Sequence, residues 1–108
     1  AELSSTAHAF AEVSNLLGQS SDYRSRLTEG LQEFLVNPAT VEVPVDSRVA
    51  AGDDVFKSLR LTDCGLLEAC RRERLTLFTV DLDLYLHAKS RGLDAINFNE
   101  VISAADGL

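Results

Sequence analysis

The sequence predicts an α/β fold with a mostly parallel central sheet, and three features of its C-terminal half support this prediction. Residues 62–74 carry apolar side chains at helical spacing, and residues 75–80 form the short apolar run that is typical of a strand buried on both faces. A second helix is predicted over 83–92, closed by a glycine, and a second strand over 95–98. Helices and strands that alternate in this way are characteristic of a parallel sheet covered by helices.

The first helix of this region carries its own start and stop signals. Thr62 is a natural N-cap, because its hydroxyl can accept a hydrogen bond from a free N–H of the first turn. Leu66, Leu67 and Cys70 fall on one stripe of the helix, which we expect to face the core. The arginines that follow suit the negative end of the helix dipole.

The N-terminal segment predicts another helix, which ends at Gly18. Hydroxyl side chains at 4–6 offer caps for its first turn. Glu12 lies at the border of its apolar stripe, so that it either reaches inward at the edge of the sheet or stays in solvent. The residues predicted to face the core are Phe10, Val13 and Leu17.

The middle of the chain predicts a second amphipathic helix, a strand and an irregular segment. Asp22 is the predicted cap of the helix, which ends before the Asn-Pro pair at 37–38. Residues 40–45 alternate valine with other residues and predict a strand, which Pro44 confines to the edge of a sheet. The segment that follows is predicted to be irregular, with one short helix over 53–59.

Two acids occupy informative positions in the predicted fold. Asp63 lies in the first turn of its helix, on the apolar stripe, and Asp81 lies just past the carboxyl end of the strand 75–80. Inward-facing acids repel each other unless a cation lies between them, and carboxylates without His or Cys partners favour hard ions such as Mg²⁺ or Mn²⁺. The alternative is that Asp63 is an ordinary first-turn acid and Asp81 a turn residue.

These acids fall in a pattern that resembles the closing half of a PIN domain. Residues 61–63 open a helix with an acid, and residues 77–84 follow as a strand that ends in Thr-x-Asp with a leucine three positions later. Residues 10–17 resemble the glutamate-bearing helix of that family, so that the resemblance extends over about 4–101. The strand and acid that usually open a PIN domain have no counterpart before Ala1. The resemblance therefore implies a PIN-like three-layer α/β/α fold that lacks its usual first strand.

The resemblance also implies an activity, a cofactor and site residues. It implies a metal-dependent endoribonuclease in which Glu12, Asp63 and Asp81 are catalytic and hold Mg²⁺ or Mn²⁺. Asp83 is either a further metal ligand or the cap of its helix. The residues expected to orient the carboxylates through their hydroxyl groups are Thr62 and Thr79.

The same resemblance implies partners and leaves alternatives open. Single-stranded RNA is the implied substrate, and an antitoxin-like protein is an implied partner, since several PIN proteins are toxins. The missing strand lies outside this sequence, was deleted, or is supplied by another chain, and the last case predicts a homo-oligomer. A non-catalytic PIN-like assembly domain and a metal-dependent phosphatase on another α/β fold are the competing interpretations.

Composition and cysteine usage set the broad class. The chain has 108 residues, 45% apolar and 25% charged, which predicts one globular domain over 1–108. It contains neither an apolar run of the about 20 residues that a membrane span needs nor a secretory signal, so we expect no membrane association. Cys64 and Cys70 share one predicted helix at an offset that cannot be bridged, which predicts a reduced, cytoplasmic setting.

The net charge of −7 argues against a broad basic face for nucleic acid. The basic residues are clustered on predicted helices, where such clusters are more often solvated faces. His8 and His87 each lack a second histidine at helical spacing, which argues against a zinc site. No glycine-rich phosphate-binding loop is present in the sequence. The carboxylates therefore remain the candidates for chemistry.

Overall fold

The computed structural model describes residues 3–18 and 24–97. Helices and strands alternate along the chain, as the sequence predicts. In chain order the elements are β1 (Leu3–Ser5), α1 (Ala7–Gly18), α2 (Arg24–Val36), β2 (Thr40–Glu42), α3 (Ser47–Ala51), α4 (Phe56–Glu73), β3 (Leu77–Thr79), α5 (Leu82–Ser90) and β4 (Ala95–Asn97). The fold is mixed α/β, which confirms the predicted class at this level.

The described strands form two parallel pairs. Strand β1 pairs with β2, with Ser4 opposite Val41, and β3 pairs with β4, with Phe78 opposite Ile96. Parallel neighbours need a crossover, which α1 and α2 provide for the first pair and α5 provides for the second. The β3–β4 pair confirms the predicted parallel pairing of these two strands. Strand β1 was not predicted, and the described strands form two separate two-stranded sheets rather than one central sheet.

The core lies where α4 packs against α5 and the β3–β4 pair. Leu67 of α4 and Leu84 of α5 are almost completely buried, with Leu77 of β3 beside them. Cys64 and Cys70 are both buried and unbonded, as expected for small core residues. The predicted apolar stripe of the central helix is therefore the centre of the core.

Helix α4 begins earlier than predicted and is interrupted. Its N-cap is Val55, which makes no side-chain cap bond, and the regular helix is broken at Arg60, where φ is 71° and ψ is −172°. Thr62 lies inside the helix just after this break, so the prediction that it is the N-cap is wrong. The helix ends at Arg74, which has a left-handed φ of 54° and donates its N–H to the Cys70 carbonyl.

The N-terminal helix is capped as predicted but faces solvent on part of its predicted core side. The Thr6 hydroxyl accepts a hydrogen bond from the Ala9 N–H at 3.2 Å, which starts α1. Phe10 packs edge-on against Phe34 of α2 with ring centroids 6.2 Å apart. Val13, however, is 44% exposed, so its predicted core position is wrong. The Leu17 side chain and Asp22 lie outside the residues that can be described.

Strand β3 is shorter than predicted and is buried on one face. Leu77 belongs to the core with α4 and α5, whereas Phe78 and Val80 are 58% and 59% exposed. Successive strand residues point to opposite faces, so that the packed helices cover the Leu77 side. The prediction of burial on both faces is therefore wrong for this strand.

The segment before α4 contains a helix that the sequence did not predict, α3, and an ion pair to the end of α5. Asp53 accepts a hydrogen bond from the Val55 N–H at 3.0 Å and a two-pronged contact from Arg91 at 2.5 and 2.6 Å. The hydrogen bond from Arg91 lowers the pKa of Asp53 from its ordinary 3.8 to about 2, against the opposing effect of burial. This ion pair links the segment before α4 to the C-terminal end of α5.

Replacing Asp53 with asparagine is expected to destabilise the fold by about 1 kcal/mol at neutral pH, because it removes a charge-assisted bidentate pair that is partly exposed. The pKa of Asp53 is lower in the folded chain than in the unfolded chain. The stability that the ion pair contributes is therefore fully present above about pH 4 and is lost as the pH falls through about 2. Urea denaturation at neutral and acid pH measures the difference. Asp54→Asn is the matched control, and an equal effect of both changes would contradict the prediction.

Candidate functional site

A cleft of about 570 Å³ lies between α1 and the interrupted first part of α4. Helix α1 contributes His8, Ala11, Glu12 and Asn15, which share one face at helical spacing. The opposite wall is formed by residues 58–63, which surround the break in α4. The fold thus brings two segments that are distant in sequence to one concave surface.

Glu12 and Asp63 occupy opposite walls of this cleft. Glu12 is exposed and Asp63 is half-buried. Burial raises the pKa of Asp63, and the negative charges of Asp81 and Glu12 raise it further. Asp63 therefore lies within electrostatic range of both Asp81 and Glu12, and it is the least exposed of the three acids that were predicted as catalytic.

Asp81 follows β3 and begins α5. Its carboxylate accepts a hydrogen bond from the Leu84 N–H at 3.1 Å, and its own N–H donates to the Thr79 hydroxyl at 3.0 Å. Asp81 is therefore the N-cap, and the alternative in which Asp83 caps this helix is wrong. Asp83 lies exposed in the first turn of α5 and is not among the charges that act on Asp63.

The two threonines have different surroundings. The Thr79 hydroxyl fixes the backbone of Asp81 rather than its carboxylate, so that it positions Asp81 through the main chain. Thr62 is half-buried in the wall of the cleft beside Asp63. Its predicted role in orienting a carboxylate remains a prediction.

The donor set suits a hard cation but is not arranged around one point. Across residues 3–18 and 24–97, no three His, Cys, Asp or Glu side chains come together as a ready-made metal-binding group. Carboxylates are the oxygen ligands that Mg²⁺ and Mn²⁺ prefer, and a divalent charge would offset the repulsion that acts on Asp63. These residues therefore match a divalent ion in the type of their donor atoms, but they do not surround a common point.

Several lining residues were missed by sequence reasoning. His8 lies one turn before Glu12, and its Nε2 atom is 3.2 Å from the Ser47 hydroxyl. Asn15 lies nearly one turn after Glu12. Their spacing from Glu12 could have identified them, because residues at i−4 and i+3 share a helix face. Arg60 gave no such signal, since its position depends on the break in α4.

Within the described part of the chain, no helix combines the length and the apolar content that crossing a membrane requires. Comparison with family models, with curated proteins and with solved structures found no match. The residues of the cleft and their geometry are therefore what indicates a function.

Proposed function

We propose that this chain is a metal-dependent endoribonuclease of the PIN type, which hydrolyses RNA phosphodiester bonds with Mg²⁺ or Mn²⁺. The observation that supports it is the raised pKa of the half-buried Asp63, which results from burial and from the charges of Asp81 and Glu12. These acids come from three separate elements of the fold. Mutual repulsion of this kind disfavours the folded chain, and a bound cation would turn it into attraction.

Each acid has a distinct part in the proposed chemistry. A divalent cation, when bound, lowers the pKa of a coordinated water and stabilises the charge on the phosphate. Asp63 must be ionised to serve as a ligand, and it is the least solvated of the three. Asp81 has one carboxylate oxygen engaged with the Leu84 N–H, which holds its orientation and leaves its other oxygen for a cation. Glu12 completes the set from the opposite wall.

The finer description of the fold belongs to the same proposal. The parallel pairs, the helical crossovers and an acid two residues after β3 are compatible with a PIN-like three-layer arrangement of this single domain. Three further parts belong to the proposal. The cytoplasmic location is predicted from the unbridged Cys64 and Cys70, and self-association from the case in which another chain supplies the missing strand. The antitoxin-like protein partner derives from the resemblance.

The second candidate is a non-catalytic PIN-like assembly domain. One observation favours it: large apolar side chains around β3, β4 and α5 are exposed to between 40% and 59%. Such side chains are typical of surfaces that contact another protein. They are Phe78, Val80, Leu82, Leu86 and Ile96.

Calorimetric titration with Mn²⁺ and cleavage of a labelled single-stranded RNA test the proposal together. We expect Mn²⁺ binding that weakens in a Glu12→Gln variant, and RNA cleavage that stops when a chelator is added. Hydrolysis of a small phosphomonoester without RNA cleavage would instead identify a phosphatase. Neither specific Mn²⁺ binding nor cleavage would contradict the nuclease and favour the assembly domain.

A further inference from the structure

We propose that Arg60 holds the phosphate of the RNA substrate in the cleft, beside the acids that would hold the metal. This inference rests on the proposed function and names a substrate-positioning residue for the same site. Arg60 lies in the cleft wall, three positions before Asp63 and across from Glu12. Among the residues of 3–18 and 24–97 that line the cleft, Arg60 is the one permanently charged cation.

The guanidinium of Arg60 is available to an external anion. Its side chain is exposed, and it forms no ion pair or side-chain hydrogen bond with the part of the chain that the structure describes. Arg71 and Arg91, in contrast, are both engaged by carboxylates.

The negative charges of the cleft explain why a phosphate would need the positive charge of Arg60. The chain carries a net charge of −7, and the cleft contains Glu12 and Asp63. A phosphodiester that approaches these acids is repelled unless a positive group faces it. A guanidinium presents paired N–H donors that match two phosphate oxygens, which makes Arg60 suited to bind the phosphate and orient it.

The backbone supports a role for the side chain. With φ of 71° and ψ of −172°, Arg60 adopts a conformation that glycine accepts easily and other residues resist. The break places Arg60 at the wall of the cleft between the buried Leu59 and the regular helix that carries Asp63. Strained positions of this kind are concentrated at functional sites, where the structure around them maintains the conformation.

Arg60→Gly tests the inference, because glycine accepts this backbone conformation and removes the guanidinium. The full chain is assayed on a labelled single-stranded RNA with Mn²⁺, at several salt concentrations. We expect KM to rise about tenfold or more, from the loss of a charge-assisted contact, with a smaller change in kcat. The slope of log affinity against log salt should fall by about 0.7, the value for one phosphate contact on a single strand.

Arg74→Gly is the matched control. Arg74 is also an arginine with a positive φ, but it lies at the other end of α4, outside the cleft. We expect its KM and salt slope to equal those of the wild type. Arg60→Lys keeps the charge without the paired donors, so its KM should fall between those of the wild type and Arg60→Gly.

The outcomes separate this inference from the proposed function. A wild-type chain that cleaves RNA, together with an Arg60→Gly variant of unchanged KM and salt slope, overturns the role of Arg60 and leaves the nuclease intact. A wild-type chain that neither binds nor cleaves RNA overturns both. A melting temperature of Arg60→Gly that is equal to or above that of the wild type excludes unfolding as the cause of a raised KM.

Discussion

Replacing Asp81 with asparagine is expected to lower kcat/KM for Mn²⁺-dependent RNA cleavage by at least about a hundredfold, with little effect on folding. The substitution removes the negative charge that a cation needs and keeps the shape of the side chain. Asparagine is as good an N-cap as aspartate, so its oxygen still accepts the Leu84 N–H that starts α5. The loss of activity then reports on metal binding rather than on the helix.

Asp94→Asn is the matched control for this change, because Asp94 is an exposed acid that precedes β4 and does not line the cleft. Cleavage rates, Mn²⁺ affinity by calorimetry and thermal melts should be measured for both variants. Full cleavage by Asp81→Asn would remove Asp81 from the mechanism. A large drop in the melting temperature of Asp81→Asn would show that asparagine does not replace the cap.

The region of β3, α5 and β4 was predictable because its signals are local. Gly92 has a φ of 74°, as its predicted place after the helix end requires, and the buried Leu77 belongs to a short apolar run. The identity of the cap was less predictable, since Asp81 and Asp83 both suit the start of a helix. Asp81 rather than Asp83 is the cap because the backbone of Asp81 is extended and its N–H donates a hydrogen bond to the Thr79 hydroxyl. Both features arise only in the folded chain.

Elsewhere the fold depends on contacts that a local pattern does not encode. Strand β1 has three residues and α3 has five, so neither is long enough to show a clear period. The break at Arg60 is also unsignalled, because arginine has no preference for a positive φ. The sequence placed Asp63 on a helix and Asp81 at the end of a strand, and this placement predicted that their charges would interact. The cleft and the position of Arg60 in its wall depend on the three-dimensional fold, so that no local pattern revealed them.

Replacing Asp63 with asparagine is expected to reduce cleavage by at least about a hundredfold and, in the absence of metal, to raise the stability of the fold. Burial and the charges of Asp81 and Glu12 raise the pKa of Asp63 above its ordinary 3.8. The stability that protonated Asp63 contributes is therefore fully present below pH 3.8. It is lost as the pH rises through the pKa of Asp63 in the folded chain, which is the higher of the two. At neutral pH the ionised carboxylate disfavours folding, and asparagine removes that charge.

Mn²⁺ should reverse the order of stability, which makes the prediction specific to a metal site. Wild-type protein gains about 2.7 kcal/mol at a metal concentration a hundred times Kd, whereas Asp63→Asn should gain much less. Glu68→Gln on the same helix is a control of opposite sign, because the hydrogen bond from Arg71 lowers the pKa of Glu68 and its neutralisation should weaken the fold. Thermal melts in chelator and in Mn²⁺ measure both effects. An Asp63→Asn variant that melts below the wild type in chelator would show that Asp63 stabilises the fold through contacts, and its raised pKa would then not mark a cation site.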